Sequence, residues 1–132
     1  MSKRRVLIAD DDPDVRRIFG DYLTFAGYSV QTAADGDQAL ALAAQTPPDI
    51  ALLDVMMPGP SGMNLATRLM EQFPDVIVII ITAYSSINLA IEVMQKGAYG
   101  YLVKPVRPTQ LLDRIEEAWK TSRRSVPHAM DN

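Results

Sequence analysis

The chain has no cysteine and one histidine, His128, in 132 residues. That excludes a disulfide framework, thiolate zinc sites and a cysteine nucleophile, and it fits a reducing compartment such as the cytoplasm. His128, near the end of the chain, is poorly set to serve as a metal ligand or phosphorelay histidine. No glycine-rich phosphate loop occurs, which argues against a nucleotide-binding module. Long apolar runs are missing too: the stretch after basic Met1 to Arg5 stops at Asp10, and Val76 to Ile81 is also too short to span, so neither a signal-peptide core nor a membrane span is expected. With 13 basic against 16 acidic residues the net charge is -3, short of the clustered Lys and Arg that wide nucleic-acid binding requires. What is present is a 48% hydrophobic chain with room for one core.

That hydrophobicity is distributed in a definite order. Val6 to Ala9, Ile50 to Leu53 and Val76 to Ile81 are continuous apolar runs, as strands buried on both faces read, whereas Tyr28 to Thr32 alternates like an edge strand. Tyr99 to Val103 is the fifth. Between them lie stretches of helical period: Val15, Ile18, Phe19, Tyr22, Leu23 and Ala26; the Ala-rich segment 35 to 45; Leu65, Ala66, Leu69 and Met70; Leu89, Ala90, Val93 and Met94; and Leu111, Leu112, Ile115, Ala118 and Trp119. Asp12-Pro13 reads as an N-cap with proline at the first helical position. Gly27 and Gly97 read as helix ends, and Ser85 or Ser86 as a cap. The order is (βα) five times, which predicts an α/β doubly wound parallel sheet over residues 1–122, with 123–132 a flexible tail or the start of a linker.

Four polar signals close four of the predicted strands: Asp10-Asp11-Asp12, Asp54, Thr82 and Lys104-Pro105. Parallel strands bring them to one rim, the carboxyl-end rim where open α/β sheets bind ligands. Each alone has a plain structural reading: capping and turn residues for the aspartates, a solvated lysine before a proline whose peptide bond can be cis. Their joint position at the ends of different strands favours chemistry. Converging carboxylates about 4 Å apart repel by roughly 4 kcal/mol at an effective dielectric near 20, so a cation or Lys104 must offset them. Oxygen-only donors with room for water select Mg²⁺ over zinc.

In these residues the chain resembles the receiver domains of two-component response regulators. The resemblance rests on VLIADDDP, PDIALLDVMMPGPSG, IIITAY and GAYGYLVKP in order and covers roughly residues 4 to 121. It implies the flavodoxin-like strand order 2-1-3-4-5. It further implies that Asp54 accepts a phosphoryl group from the phosphohistidine of a sensor kinase or a histidine phosphotransfer protein. Asp10, Asp11, Asp54 and the backbone carbonyl of Met56 would serve Mg²⁺, with Asp10 acting through water. Lys104 and Thr82 would bind phosphoryl oxygens, and Tyr101 would switch with Thr82. The changed surface would be the fourth helix, fifth strand and fifth helix, used for a partner, an output domain or a homodimer. Tyr101 also reads as an ordinary half-buried strand aromatic. Met56 and Tyr84, each two residues beyond a site residue, flank the approach of hydrolytic water, or are ordinary loop residues.

Such a protein is a cytoplasmic phosphoacceptor that catalyses its own phosphorylation and slow dephosphorylation, not an enzyme that turns over substrate. It carries no direct nucleic-acid or membrane binding. Two other readings use the same residues. A haloacid-dehalogenase-type phosphatase needs acids two positions apart in a set loop, which Pro13 and the cap at Asp12 disturb. A phosphorylation-independent interaction module would not need the full acid set and Lys104.

Overall fold

The computed structural model describes residues 4–56 and 62–131, with side chains over 4–56 and 64–122. Five strands, β1 (Arg5–Ala9), β2 (Ser29–Ala33), β3 (Ile50–Leu53), β4 (Ile77–Thr82) and β5 (Gly100–Val103), alternate with five helices, α1 (Pro13–Phe25), α2 (Gly36–Gln45), α3 (Gly62–Gln72), α4 (Ile87–Gln95) and α5 (Pro108–Asp131). All strand pairs are parallel, in the order β2-β1-β3-β4-β5. This is the expected doubly wound sheet, with β1 and β3 adjacent at the point where the strand order reverses.

The continuous apolar runs are explained by the two faces they serve. Side chains of one parity, including Leu7, Ala9, Ala51, Leu53, Val78 and Ile80, join α2, α3 and α4 through Ala39, Ala43, Leu65, Leu69 and Val93. Those of the other parity, including Val6, Ile8, Ile50, Leu52, Ile77 and Ile79, meet Phe19 and Leu23 of α1 and Leu111, Ile115 and Ala118 of α5. A residue on either face of a central strand is therefore removed from water, which stabilises by about 1.5–3 kcal/mol for a full aliphatic side chain. An alternating pattern would have left one helical layer without a partner.

Local signals act where expected. Asp12 caps α1 by accepting from the Asp14 amide, with Pro13 at the first position. Ser86, rather than Ser85, caps α4 through the Leu89 amide. Gly27 and Gly97 follow α1 and α4 at φ of +104° and +112°, a region that disfavours any Cβ.

Several expectations require correction. Thr82 is the last residue of β4 rather than the first beyond it, and Tyr28 precedes β2. Ile18 and Ala26 do not share the buried stripe of α1, because the sheet contacts only the narrow arc centred on Phe19 and Leu23; Ile18 is 46% exposed. Met94 is likewise 46% exposed, since α4 meets the sheet through Val93 alone as a fully buried residue, with Leu89 packed beside it. The backbone of α5 is helical to Asp131 and so runs into the segment 123–132, read from the sequence as a tail or the start of a linker. Residues 120–126 contain no glycine to stop it. The loop expected at Met57 to Gly62 lies outside the described residues over 57–61.

Candidate functional site: an acid cluster bridged by one lysine

Parallel register carries the ends of β1 and β3 side by side, with Ala9 opposite Leu53, so Asp10 and Asp54 leave the sheet as neighbours. The Asp54 amide donates to the Ala9 carbonyl at 2.9 Å and fixes that juxtaposition. Asp10, Asp11 and Asp54 each offer one carboxylate oxygen, and these lie within 4.8 Å of one another. Asp10 and Asp54 are 3% and 4% exposed, whereas Asp11 faces solvent. Beneath them the floor is apolar, formed by Ile8, Val15, Phe19, Leu52 and Ile81.

Lys104 arrives from the end of β5. Its Nζ donates to Asp10 Oδ2 at 2.7 Å and to Asp54 Oδ2 at 2.9 Å, bridging both buried acids. Its backbone amide donates to the Thr82 carbonyl at 2.8 Å, and the peptide bond to Pro105 is cis. The second oxygen of each acid is also held: Asp10 Oδ1 accepts from the Asp12 amide and Asp54 Oδ1 from the Met56 amide, both at 2.9 Å. Each acid thus closes an Asx turn.

Electrostatics here are unbalanced. Burial raises the pKa of Asp10; the Lys104 hydrogen bond and the Asp12 amide oppose this without cancelling it, and the Asp54 charge adds to the rise. For Lys104, burial pulls the ammonium pKa down, but the hydrogen bonds and charges of Asp10 and Asp54 outweigh it and hold the pKa above the ordinary lysine value. With all three acids ionised, three negative charges face one positive charge, an excess of two. An all-oxygen donor set with that excess fits a hard divalent cation.

Thr82 is fully buried, and its Oγ1 accepts from the Tyr84 amide at 3.2 Å. Tyr101 is half-buried against the α2-α3-α4 core and donates its hydroxyl to the Tyr84 carbonyl; burial raises its pKa. The Thr82 hydroxyl and the Tyr101 phenol therefore hold the same residue, Tyr84, from its amide and its carbonyl. Met56 and Tyr84 stand exposed at the rim, at 59% and 50%. Asp10, Asp11, Asp54, Lys104 and Thr82 all reach this rim as the strand-end positions predicted.

One participant escaped sequence reasoning. Arg16, in the first turn of α1, donates from Nη1 to the Asp10 carbonyl at 2.8 Å. A basic residue near the N-terminal end of a helix opposes the helix dipole and stands against the usual preference for acids there, which is the signal that could have flagged it.

Over residues 6–116 the chain matches the family model described as the response regulator receiver domain. It is 37% identical over 127 residues to the DNA-binding dual master transcriptional regulator RpaA of Synechocystis, covering 95% of this chain and 52% of that protein. It is 36% identical over 122 residues to the C4-dicarboxylate transport transcriptional regulatory protein DctD of Pseudomonas aeruginosa, covering 92% of this chain and 26% of that one. The chain thus spans about half, or less, of the curated relatives it matches. Among solved structures, a CheY-like receiver domain protein from Methanospirillum hungatei superposes with a TM-score of 0.90 at 31% identity, over 94% of this chain and 99% of that one. The CheX-CheY-BeF3-Mg complex from Borrelia burgdorferi contains a chain matching at TM-score 0.82 and 29% identity, over 88% of this chain and 89% of its own.

Proposed function

From the premise that this chain belongs to the response regulator receiver domain family of two-component systems, we propose that Asp54 is its phosphoacceptor. The observation that carries this reading is the Asp54 carboxylate itself. It is buried at the end of β3, with one oxygen 2.9 Å from the Lys104 ammonium and two further carboxylates within 4.8 Å. A lone buried aspartate would need only one partner; this one sits among groups suited to a phosphoryl group and a cation.

An Asp54 oxygen attacks phosphorus of a phosphohistidine on a sensor kinase or phosphotransfer protein. The new O–P bond forms as the P–N bond breaks, and the electron pair returns to the imidazole nitrogen, which takes a proton. Such transfer depends on positioning and charge neutralisation. Lys104, already between Asp10 and Asp54, can turn its ammonium to a phosphoryl oxygen without leaving the rim. Asp10, Asp11, Asp54 and the Met56 carbonyl would hold Mg²⁺, which when bound supplies positive charge to the phosphoryl oxygens. The Thr82 hydroxyl, now an acceptor, can rotate to donate to a phosphoryl oxygen, giving up the Tyr84 amide. Tyr101 holds the same residue's carbonyl, so that exchange reaches β5 directly. The readout is the α4-β5-α5 face, through a partner, an output domain or a second copy. RpaA is described as DNA-binding; here any such output would come from sequence outside this chain.

In this role the chain is a self-phosphorylating switch and not a turnover enzyme. Its place is the cytoplasm, with the kinase, and among the described residues no helix is long and apolar enough to cross a membrane. Incubation with phosphoramidate, a small P–N donor, followed by borohydride reduction and peptide mapping, tests the assignment. Conversion of Asp54 to homoserine supports it. Conversion at another aspartate reassigns the phosphoacceptor, whereas no conversion under conditions where the adduct survives favours the phosphorylation-independent module.

A further inference from the structure

We infer that Arg16 is a positioning residue for metal binding, holding the Asp10-Asp11 peptide so that the exposed Asp11 carboxylate faces the buried acids; this rests on the metal-binding reading of the acid cluster. Every hydrogen-bonding group of Asp10 has a partner. Its amide donates to the Ala33 carbonyl at 3.1 Å, Oδ1 takes the Asp12 amide, Oδ2 takes Lys104, and its carbonyl takes Arg16 Nη1 at 2.8 Å. Three of these contacts fix Asp10 to the sheet, its own turn and β5. The Arg16 contact acts on the peptide plane that leads into Asp11. On the far side of Asp11, the Asp12 side chain caps α1, so Asp11 is the single residue between two anchored points.

Asp11 has most to gain from this. Asp10 and Asp54 are held by burial and by Lys104, but the Asp11 side chain is exposed, and its direction is set by the backbone that carries it. Arg16 is well placed to hold that backbone, because its own amide bonds to the Asp12 carbonyl at 3.1 Å and so anchors its main chain where α1 begins. Arg17, the next residue, carries the same charge but pairs at the surface with Asp14 at 3.3 Å.

The sign of the effect separates positioning from simple charge. Arg16 is a cation near a cation site, so by Coulomb's law alone its removal tightens Mg²⁺ binding. If it positions Asp11, removal weakens binding, and loss of groups that orient metal ligands typically costs roughly ten- to a hundredfold in affinity. Titration of Mg²⁺ by calorimetry, and by displacement of Mn²⁺ followed by electron paramagnetic resonance, distinguishes the two on wild type, Arg16→Met, Arg16→Lys, Arg17→Met and Asp11→Asn.

The expected result is about tenfold weaker binding in Arg16→Met, with Arg17→Met unchanged or slightly tighter. In acetyl phosphate reactions the Mg²⁺ concentration for half-maximal rate rises by the same factor, and saturating Mg²⁺ recovers most of the wild-type rate. Unchanged or tighter binding in Arg16→Met overturns the inference, as does a rate that saturating Mg²⁺ fails to recover. Should Arg16→Met not fold, Arg16→Lys decides, because a lone ammonium on a shorter stem keeps the charge but not the guanidinium's reach. Weaker binding then supports positioning, and wild-type affinity overturns it. Wild type that binds no Mg²⁺, or binds it equally well in Asp11→Asn, overturns the metal reading and this inference together; a defect confined to the Arg16 result leaves that reading standing.

Discussion

Replacing Lys104 with methionine converts the site from a bridged pair of acids into two buried like charges. The ammonium now lies 2.7 Å and 2.9 Å from the two carboxylates, while those acids lie within 4.8 Å of each other. At 4.8 Å and an effective dielectric of about 20, their repulsion amounts to roughly 3.5 kcal/mol. Loss of one partner of a buried ion pair typically costs about 3–5 kcal/mol, and proton uptake by Asp10 limits the cost here. Lys104→Met should therefore lose about 3 kcal/mol in EDTA at pH 8, a melting shift of about 10 °C.

The pH dependence has a definite sign. In wild type the Lys104 pKa is raised, so its contribution is complete below the unfolded lysine value and is lost only as pH climbs through the folded one. Across pH 5 to 8 it is constant. In the variant the acids dominate: Asp10 already has a raised pKa, so its charged form burdens the fold above that pKa and protonation relieves it. The deficit should be smaller at pH 5 than at pH 8. Urea unfolding at both pH values, with Asp10→Asn and the double variant completing the cycle, measures this directly. A coupling of about 1.5 kcal/mol or more between the two substitutions is expected. Additive effects, or a deficit that grows on acidification, would refute the reasoning.

Other consequences can be measured separately. The Tyr28 hydroxyl donates to Glu116, and burial with that carboxylate raises its pKa to about 12. Stability is therefore retained below pH 10 and falls as pH rises from 10 through 12, by roughly 1 to 3 kcal/mol; Tyr28→Phe should flatten that part of a melting-temperature profile. Gly97→Ala puts a Cβ at φ +112° and 3.4 Å from Met70 Sδ, and should cost about 1–3 kcal/mol by chemical denaturation. Met56→Asn and Tyr84→Ala, which open the rim beside Asp54 and Thr82, should shorten the phosphoryl lifetime followed by mass spectrometry; an unaltered lifetime in both removes any shielding role.

The sheet and the acid site were legible because both depend on short local patterns repeated in order. A continuous apolar run such as Ile50 to Leu53 specifies a strand buried on both faces, and the residue after it falls at the rim wherever the strands are parallel. Asp10, Asp54 and Lys104 could thus be brought together across 44 to 94 positions of sequence without any structure. What escaped depends on quantities the pattern does not encode. Whether Ile18 is covered depends on how far α1 rolls against the sheet, and its periodicity is equally good with Ile18 in or out. Tyr28 and Glu116 meet 88 residues apart because α1 and α5 share one face of the sheet, and neither residue carries a local mark of that meeting. Arg16 was hidden for another reason: its role is toward a backbone carbonyl, which every residue possesses.

Intact-mass analysis after incubation with acetyl phosphate, with and without Mg²⁺, on wild type and Asp54→Ala tests the central claim most directly. One phosphoryl group gained by wild type with Mg²⁺, and by neither the variant nor the metal-free protein, is the predicted result. An adduct that persists in Asp54→Ala, or forms equally well without Mg²⁺, would contradict the assignment of Asp54 and its acid neighbours as a metal-assisted phosphoacceptor site.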